Sequence, residues 1–373
     1  MRFMHLSDLH LGKRLGGYSL LDDQKYILAQ ILGIIDEESP DAVLIAGDIY
    51  DKPVPAAEAV TMFDDFLFSL LGRNKEVYII AGNHDSAERI SFGSRIMERQ
   101  GIHFTGVFDG TIVKKVIYDK FGPVNIYCLP YIRPAGARRF FEDAQTYQDM
   151  MEECIRRMET DENERNILMT HQFVTGAQRS ESEEIAGGAE SISAEVFECF
   201  DYVALGHLHR PQRMIRDEVR YCGTPLKYSF SEAGHVKSVT VVDMEEKGSV
   251  RIREIPLVPL HDMRIIRGSY DELTDRRYYE NSKTEDYLQV ILTDEEEVFK
   301  AFDKLSGIYP RIMKMDYDNS RTRMGTSVEP AGISKAPEPF ELFARLYEEQ
   351  NGLPMNDEQT AYVRNLIKEL EEV

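Results

Sequence analysis

Up to about residue 260 the chain alternates short apolar runs with segments whose apolar positions recur every three to four residues. The runs Arg2–Ser7, Ala42–Ala46, Val77–Ala81, Val124–Leu129, Asn166–Met169, Tyr202–Leu205, Ser238–Asp243 and Val250–Ile255 are short and rich in Val, Ile and Tyr. That is the pattern of buried strands. Between the first two, Ile27, Ile31, Ile34 and Ile35 fall at i, i+4, i+7 and i+8, with Leu28 beside them, and predict an amphipathic helix. Pro40 lies just past its end, as a stop signal does. A second helix is predicted over Ala56–Leu71. Strands alternating with helices imply an α/β domain.

The pattern changes beyond residue 261. Residues 262–318 read as a small separate α+β unit, with strands at Ile265–Arg267, Tyr287–Leu292 and Ile312–Tyr317 and helices over Tyr270–Tyr279 and Glu295–Leu305. Residues 319–339 hold three prolines and two glycines with little apolar content, a linker composition. Residues 340–373 resume as two short helices. Leu342, Phe343, Leu346 and Tyr347 share one face of the first, and Gly352 is its stop. The second starts near Asn356 or Asp357, both good N-caps, and its apolar stripe is Val363, Leu366, Ile367 and Leu370.

At 373 residues the chain has room for two or three domains and a substantial core. No stretch approaches the roughly 18 uncharged apolar residues of a membrane span. The opening Met-Arg-Phe-Met-His carries no apolar signal core, so a cytoplasmic protein is expected. Cys128, Cys154, Cys199 and Cys222 are scattered without C-x-x-C spacing and read as reduced thiols rather than as a zinc ribbon or disulfide framework. The net charge of −21 argues against a simple electrostatic DNA binder.

Five motifs carry chemistry: Asp8-Leu9-His10, Gly47-Asp48, Gly82-Asn83-His84-Asp85, His171, and Gly206-His207-Leu208-His209. Several sit where a strand gives way to a loop, which is where sites form in open α/β sheets. In D-x-H and H-x-H the two ligands are two residues apart and point the same way in extended chain. A glycine before Asp48, Asn83 and His207 allows a tight turn that aims the next side chain inward. Each motif alone is weak; G-N-H-D, for instance, is a common turn. Together they are a nitrogen and oxygen ligand set for borderline divalent metals, and iron, cobalt, zinc or manganese would all suit it.

The order D-x-H, GD, GNHD, H, GHxH over residues 1–260 resembles the calcineurin-like metallophosphoesterase superfamily. The resemblance implies an α/β fold built on a β-sandwich flanked by helices. It implies two divalent ions, Mn²⁺ by family expectation. One would be held by Asp8, His10, Asp48 and His209, the other by Asp48, Asn83, His171 and His207, with Asp48 bridging. Such a pair activates a water for attack on phosphorus. Two divalent ions against the carboxylates of Asp8 and Asp48 leave about +2 in an otherwise acidic protein. His84 follows a ligand without belonging to the seven, and the resemblance gives it the role of stabilising the transition state or protonating the leaving oxygen. Asp51 and Asp85 are candidates to orient an imidazole. Lys13, Arg14 and Lys52 flank the motifs as DNA-contact candidates or as plain solvated charges. His5 reads as a buried structural histidine; His103, His235 and His261 have no partner motif.

Segments between the ligands are similar to the double-strand-break repair nuclease branch of that superfamily. They are Phe3–Gly12, Gly47–Asp51, Leu129–Pro134, Gly187–Glu190 with Ser193–Phe197, Gly206–Gln212 and, above all, Tyr221–Glu232. Asp51 departs from the archaeal and eukaryotic pattern, which has histidine there, so no role is borrowed from that histidine. The resemblance implies a nuclease acting on duplex ends as a 3′–5′ exonuclease and on single-stranded or hairpin DNA as an endonuclease. It makes 262–318 a capping domain and 340–373 a helical hairpin docking on an SMC-like ATPase subunit. It also implies a homodimer through the phosphoesterase domain. A small-molecule phosphodiesterase or nucleotidase is the competing reading; it leaves residues 262–373 without a purpose.

Overall fold

Successive residues of a strand face opposite ways, and in the central strands of this protein both faces are covered. The computed structural model describes residues 1–132, 140–141, 144–183, 191–325, 339–351 and 354–371. Arg133 and Pro134, Gly187–Glu190, most of the 319–339 linker and Gly352 lie outside the described residues.

Twelve strands build the site-bearing part: β1 (Arg2–Leu6), β2 (Ala42–Ala46), β3 (Glu76–Ile80), β4 (Ile102–Thr105), β5 (Val113–Asp119), β6 (Gly122–Leu129), β7 (Arg165–His171), β8 (Tyr202–Gly206), β9 (Gln212–Arg213), β10 (Val219–Tyr221), β11 (Ser238–Met244) and β12 (Val250–Pro256). Among the described residues they form two six-stranded sheets, ordered β12-β11-β1-β2-β3-β4 and β9-β10-β8-β7-β6-β5. β1, β2 and β3 run parallel, as do β6, β7 and β8.

The alternation decides the layers. Phe3, Leu44 and Tyr78 of the first sheet pack in one cluster with Ile126, Met169 and Ala204 of the second. The intervening Met4, Val43, Ile45 and Ile79 turn outward onto Ile27, Ile31 and Ile35 of helix α1 (Leu21–Glu38) and Phe63, Phe66 and Leu70 of α2 (Ala57–Leu71). Leu168, Val203 and Leu205 turn outward onto Met150, Met151 and Cys154 of α3 (Tyr147–Arg156). The result is helix, sheet, sheet, helix: the β-sandwich flanked by helices that the resemblance implied. All five residues of β2 are buried, which is why it reads as an unbroken apolar run. Each fully buried Ile or Leu contributes about 1.5–3 kcal/mol. α1 ends where Ser39 turns left-handed (φ 47) and donates its N–H to the Ile35 carbonyl, just before Pro40.

Three further strands, β13 (Met263–Gly268), β14 (Tyr287–Leu292) and β15 (Ile312–Tyr317), form a three-stranded sheet in that order. Two expected helices there are altered. Tyr270–Tyr279 is broken at Asp275, which is extended and whose carboxylate accepts the N–H of Arg277 to cap the second piece. Glu295–Leu305 is helical only over Ala301–Ser306, because Lys300 adopts a left-handed conformation (φ 51) that no right-handed helix contains. The chain divides into two compact units, Met1–Ile266 with Lys283–Gln289 and Tyr309–Lys314, and Arg267–Ser282 with Val290–Ile308 and Met315–Val373. In the second, helices α4 (Pro339–Asn351) and α5 (Asp357–Glu371) pair with each other. Gln359 Nε2 donates to the Tyr347 hydroxyl at 3.0 Å, and Arg364 lies 4.2 Å over the Phe340 ring. Leu342, Phe343, Leu346, Tyr362 and Leu366 remain exposed, whereas the side chain of Leu370 lies outside the described residues.

Candidate metal centre

The carboxyl ends of the parallel strands converge at one edge of the sandwich. Asp8 and His10 follow β1, Asp48 follows β2, Asn83 follows β3, His171 ends β7, and His207 and His209 follow β8. The first two loops continue to pair past their strands. Asp8 N donates to Gly47 O at 3.0 Å, His10 N to Asp48 O at 3.0 Å and Leu11 N to Ile49 O at 2.9 Å. Asp8, His10, Asp48 and His207 all have positive φ (52, 44, 49 and 107). Such residues cost about 1–3 kcal/mol each and persist where their surroundings over-determine them.

The glycines before Asp48, Asn83 and His207 serve two purposes, not one. Gly47 makes the turn, at φ +90. Gly82 and Gly206 lack a positive φ and are needed for space. A Cβ at Gly82 would stand 2.1 Å from Asp48 Oδ1, and one at Gly206 1.8 Å from the Ala46 carbonyl oxygen.

All seven expected ligands come together. Asp48 Oδ2 lies 3.3 Å from His171 Nε2 and 3.8 Å from His10 Nε2. Asn83 Oδ1 is 3.0 Å from both His171 Nε2 and His207 Nδ1. His209 Nε2 is 3.2 Å from His10 Nε2. Asp8 accepts the His207 backbone N–H on both oxygens, at 3.0 and 3.2 Å. Ligand atoms of Asp8, His10 and His209 lie within 4.8 Å of one another, and so do those of Asp8, Asp48 and His171. Burial, reinforced by the charge of Asp48, pushes the Asp8 carboxyl up to about 6. Burial likewise takes His207 down to about 3 and holds His10 well below the usual imidazole range. These imidazoles are therefore neutral, with a lone pair to offer. Burial opposes ionisation of Asp48, but the neighbouring His171 outweighs it and keeps the carboxylate charged. His10 and His209 turn their Nε2 atoms toward each other, an arrangement in which one cation can take both lone pairs.

Half-buried His84 flanks this set, its ring edge-on to His10 at 4.9 Å. Its backbone N–H donates to Asp48 Oδ1 at 2.8 Å, and its Nδ1 is 3.1 Å from the Asp51 carbonyl oxygen. The expected imidazole-orienting carboxylates need correction. Asp51 reaches His84 through its main chain, while its carboxylate pairs with Lys13 at 2.6 Å. Asp85 accepts the backbone N–H groups of Ile49, Tyr50 and Gly82 and so ties two ligand loops together without touching an imidazole. Lys13 also lies 5.8 Å over the Tyr228 ring. Arg14 is exposed and donates to the Gly17 carbonyl, and Lys52 is exposed. His5 is buried beside the Tyr202 hydroxyl, 2.9 Å away.

A carboxylate outside the seven that does meet a ligand imidazole is Glu232, with Oε1 3.1 Å from His209 Nδ1. The sequence reading gave Glu232 no role, although it closes the Tyr221–Glu232 segment. Gln24 was missed as well. Its Nε2 donates to His10 O at 2.7 Å and its Oε1 accepts from Gly12 N at 2.9 Å. A polar residue amid the apolar face of α1 was the available signal.

Residues 1–211 match the family model described as Calcineurin-like phosphoesterase, and residues 259–351 match one described as Type 5 capsule protein repressor C-terminal domain. Fold and site thus define a phosphoester hydrolase of the calcineurin-like class, a fold that implies divalent metal ions. The chain is 34% identical over 322 residues to SbcD of the SbcCD nuclease of Staphylococcus epidermidis, across 84% of this chain and 85% of the relative. It belongs to the SbcD nuclease-subunit family of calcineurin-like phosphoesterases. Solved structures similar to it include GAP50, the anchor in the inner membrane complex of Plasmodium (10% identity, 69% of this chain and 84% of that one, TM-score 0.42). Another is a dimetal phosphatase from Danio rerio (10% identity, 69% and 96%, TM-score 0.42). Among the described residues no helix is long and apolar enough to cross a membrane.

Proposed function

We propose that this chain is the metal-dependent nuclease subunit of an SbcCD-type complex. It hydrolyses phosphodiester bonds at duplex DNA ends as a 3′–5′ exonuclease and in single-stranded or hairpin DNA as an endonuclease. The observation that carries this reading is the meeting of Asp8, His10, Asp48, Asn83, His171, His207 and His209 at one sandwich edge in a chain 34% identical to an SbcD protein.

In this reading Asp8, His10, Asp48 and His209 would hold one divalent ion, and Asp48, Asn83, His171 and His207 the other. Asp48 would belong to both sets, and its Oδ2 lies near an imidazole of each, His10 and His171. Bound Mn²⁺ would supply an activated water and neutralise phosphate charge. The chain's own contribution is placement. Asn83 and the imidazoles would bind through lone pairs as neutral ligands that leave the positive charge uncancelled. His171, where burial is outweighed by the charge of Asp48 and the ring is pushed up to about 9, would give up its proton to do so. His84, held by its main chain to Asp48 and by Nδ1 at Asp51, protonates the leaving oxygen.

The remaining parts follow the same reading. Residues 262–318 form a capping domain, 319–339 a linker that opens with a short helix over Ser320–Gly325, and 340–373 a docking segment for an SbcC-type, SMC-like ATPase. The exposed Leu342, Phe343, Leu346, Tyr362 and Leu366 support docking, because two short paired helices leave that apolar surface uncovered. A second copy, joined through the phosphoesterase domain, repeats the net charge of −21, so the ATPase partner supplies most of the basic DNA surface. The complex works in DNA repair, recombination and replication, in the cytoplasm at the nucleoid.

The test is hydrolysis of blunt duplex, hairpin oligonucleotide and a mononucleotide phosphodiester, with Mn²⁺ or Mg²⁺, with and without the ATPase subunit. Metal-dependent cleavage of the DNA substrates supports the reading. Preference for the mononucleotide, with DNA left intact, would favour the nucleotidase instead.

A further inference from the structure

His209 differs from the other candidate ligands in what stands behind its ring. Glu232 is fully buried, and its Oε1 lies 3.1 Å from His209 Nδ1. Its Oε2 accepts from Lys237 Nζ at 2.6 Å, and Lys237 is itself buried. The same ammonium donates to the His209 main-chain carbonyl and to Thr224 Oγ1, both at 2.7 Å. Ser182 Oγ donates to Glu232 Oε1 at 2.5 Å and lies 2.7 Å from His209 Nδ1. All three protons of the lysine are thus used, and the carboxylate is hydrogen-bonded on both oxygens.

His171, across the centre, has a weaker support. Its Nδ1 meets the neutral carbonyl oxygen of Ala46 at 2.8 Å. An ionised carboxylate raises the basicity of the opposite ring nitrogen more than an amide carbonyl does, and also fixes the tautomer. A buried ion pair is a costly way to stabilise a fold: similar-sized apolar residues are often as good or better. Its position directly behind one ligand points to another use.

We infer that Glu232, fixed by Lys237, is a positioning residue that holds His209 with its proton on Nδ1 and its Nε2 lone pair turned to the cation, and so strengthens the Asp8–His10–His209 half of the centre alone. This rests on the two-ion reading above and adds an inequality to it: the half with a carboxylate behind its imidazole depends on residue 232, and the half containing Asn83, His171 and His207 does not. Outer partners of ligand histidines affect metal affinity by about 10–100-fold.

The experiment is a titration of the full chain with Mn²⁺, free ion being read by electron paramagnetic resonance, beside a thermal melt. In the wild type, two binding steps are expected. Fewer than two would overturn the two-ion reading itself, whatever Glu232 does. Glu232→Gln keeps size but removes the charge, and should weaken one step by about 10–100-fold and leave the other in place. Since that variant strands the Lys237 ammonium, the paired variant Glu232→Gln with Lys237→Met removes both charges and should show the same selective loss in a folded protein. Ser182→Ala should bind both ions as the wild type does. Two unchanged steps in the folded paired variant, equal weakening of both steps, or a loss that follows Ser182 instead would each overturn the assignment.

Discussion

His84 holds Asp48 with its backbone rather than its ring: its N–H donates to Asp48 Oδ1 at 2.8 Å. The imidazole is left for other work, anchored at Nδ1 by the Asp51 carbonyl. Replacement of the side chain therefore separates binding from chemistry. His84→Gln is expected to bind Mn²⁺ with wild-type stoichiometry and to lose about 10²–10⁴-fold in kcat on a hairpin substrate. Loss of metal with activity per bound ion retained would remove His84 from the chemistry.

Gly82 is the neighbour of that arrangement. A methyl group there would stand 2.1 Å from Asp48 Oδ1 and 2.4 Å from Asp48 N, both on a loop with little room to yield. Gly82→Ala should lower stability by about 1–3 kcal/mol or more, with metal binding lost before the fold is. The expected signature is a depressed Tm with near-native circular dichroism and no saturable Mn²⁺ uptake.

Far from the centre, Asp119 ties Met1 to Arg165. Arg165 Nη1 and Nη2 donate to its two oxygens at 3.0 and 2.5 Å, and the N-terminal ammonium donates at 2.9 Å. The hydrogen bond from Arg165 holds the Asp119 carboxyl below the ordinary carboxylate range. A carboxylate with a depressed folded pKa stabilises above its unfolded value, about 3.9, and that stability is lost as pH falls through the folded value. Asp119→Asn should cost about 2 kcal/mol at pH 7 and differ little from the wild type at the lowest pH where both fold. Urea midpoints measured from pH 7 downward check the convergence.

Deleting residues 335–373 removes the exposed apolar surface of α4 and α5. Hydrolysis of a small phosphodiester should be unchanged, while retention of the ATPase subunit in a pull-down should fall at least tenfold. Full retention would assign that surface elsewhere.

An acidic chain alone is a poor ligand for a polyanion. The isolated subunit is expected to bind duplex DNA weakly, with a shallow dependence of log K on log salt, as few phosphates are neutralised. A steep slope in a salt series would place a basic tract on this subunit.

The site was legible because D-x-H and G-H-x-H put pairs of ligands close in sequence at strand ends, although Asp8, His10 and His207 turn with positive φ where extended chain was expected. The outer support was not. Glu232 acts on His209 across 23 residues and Gln24 on His10 across 14, and neither spacing is a repeat that a pattern can register. The glycines were read as turns, though only Gly47 turns; that Gly82 and Gly206 are crowded by Asp48 and Ala46 is a fact of three dimensions. Strand β5 escaped notice because the adjacent Lys114 and Lys115 break its alternation. Lys300 shows the opposite failure, since a helix-forming residue type gave no sign of its left-handed backbone.

The two sheets each bring part of the centre, Asp8, His10, Asp48 and Asn83 from one and His171, His207 and His209 from the other. The hydrogen bond from His207 N to Asp8 spans 199 residues. A chain emerging from the ribosome therefore carries half a centre until β8 has been made and the sheets have closed face to face. Hydrolytic competence thus waits for both sheets, and a chain that has not yet reached His209 holds no complete centre.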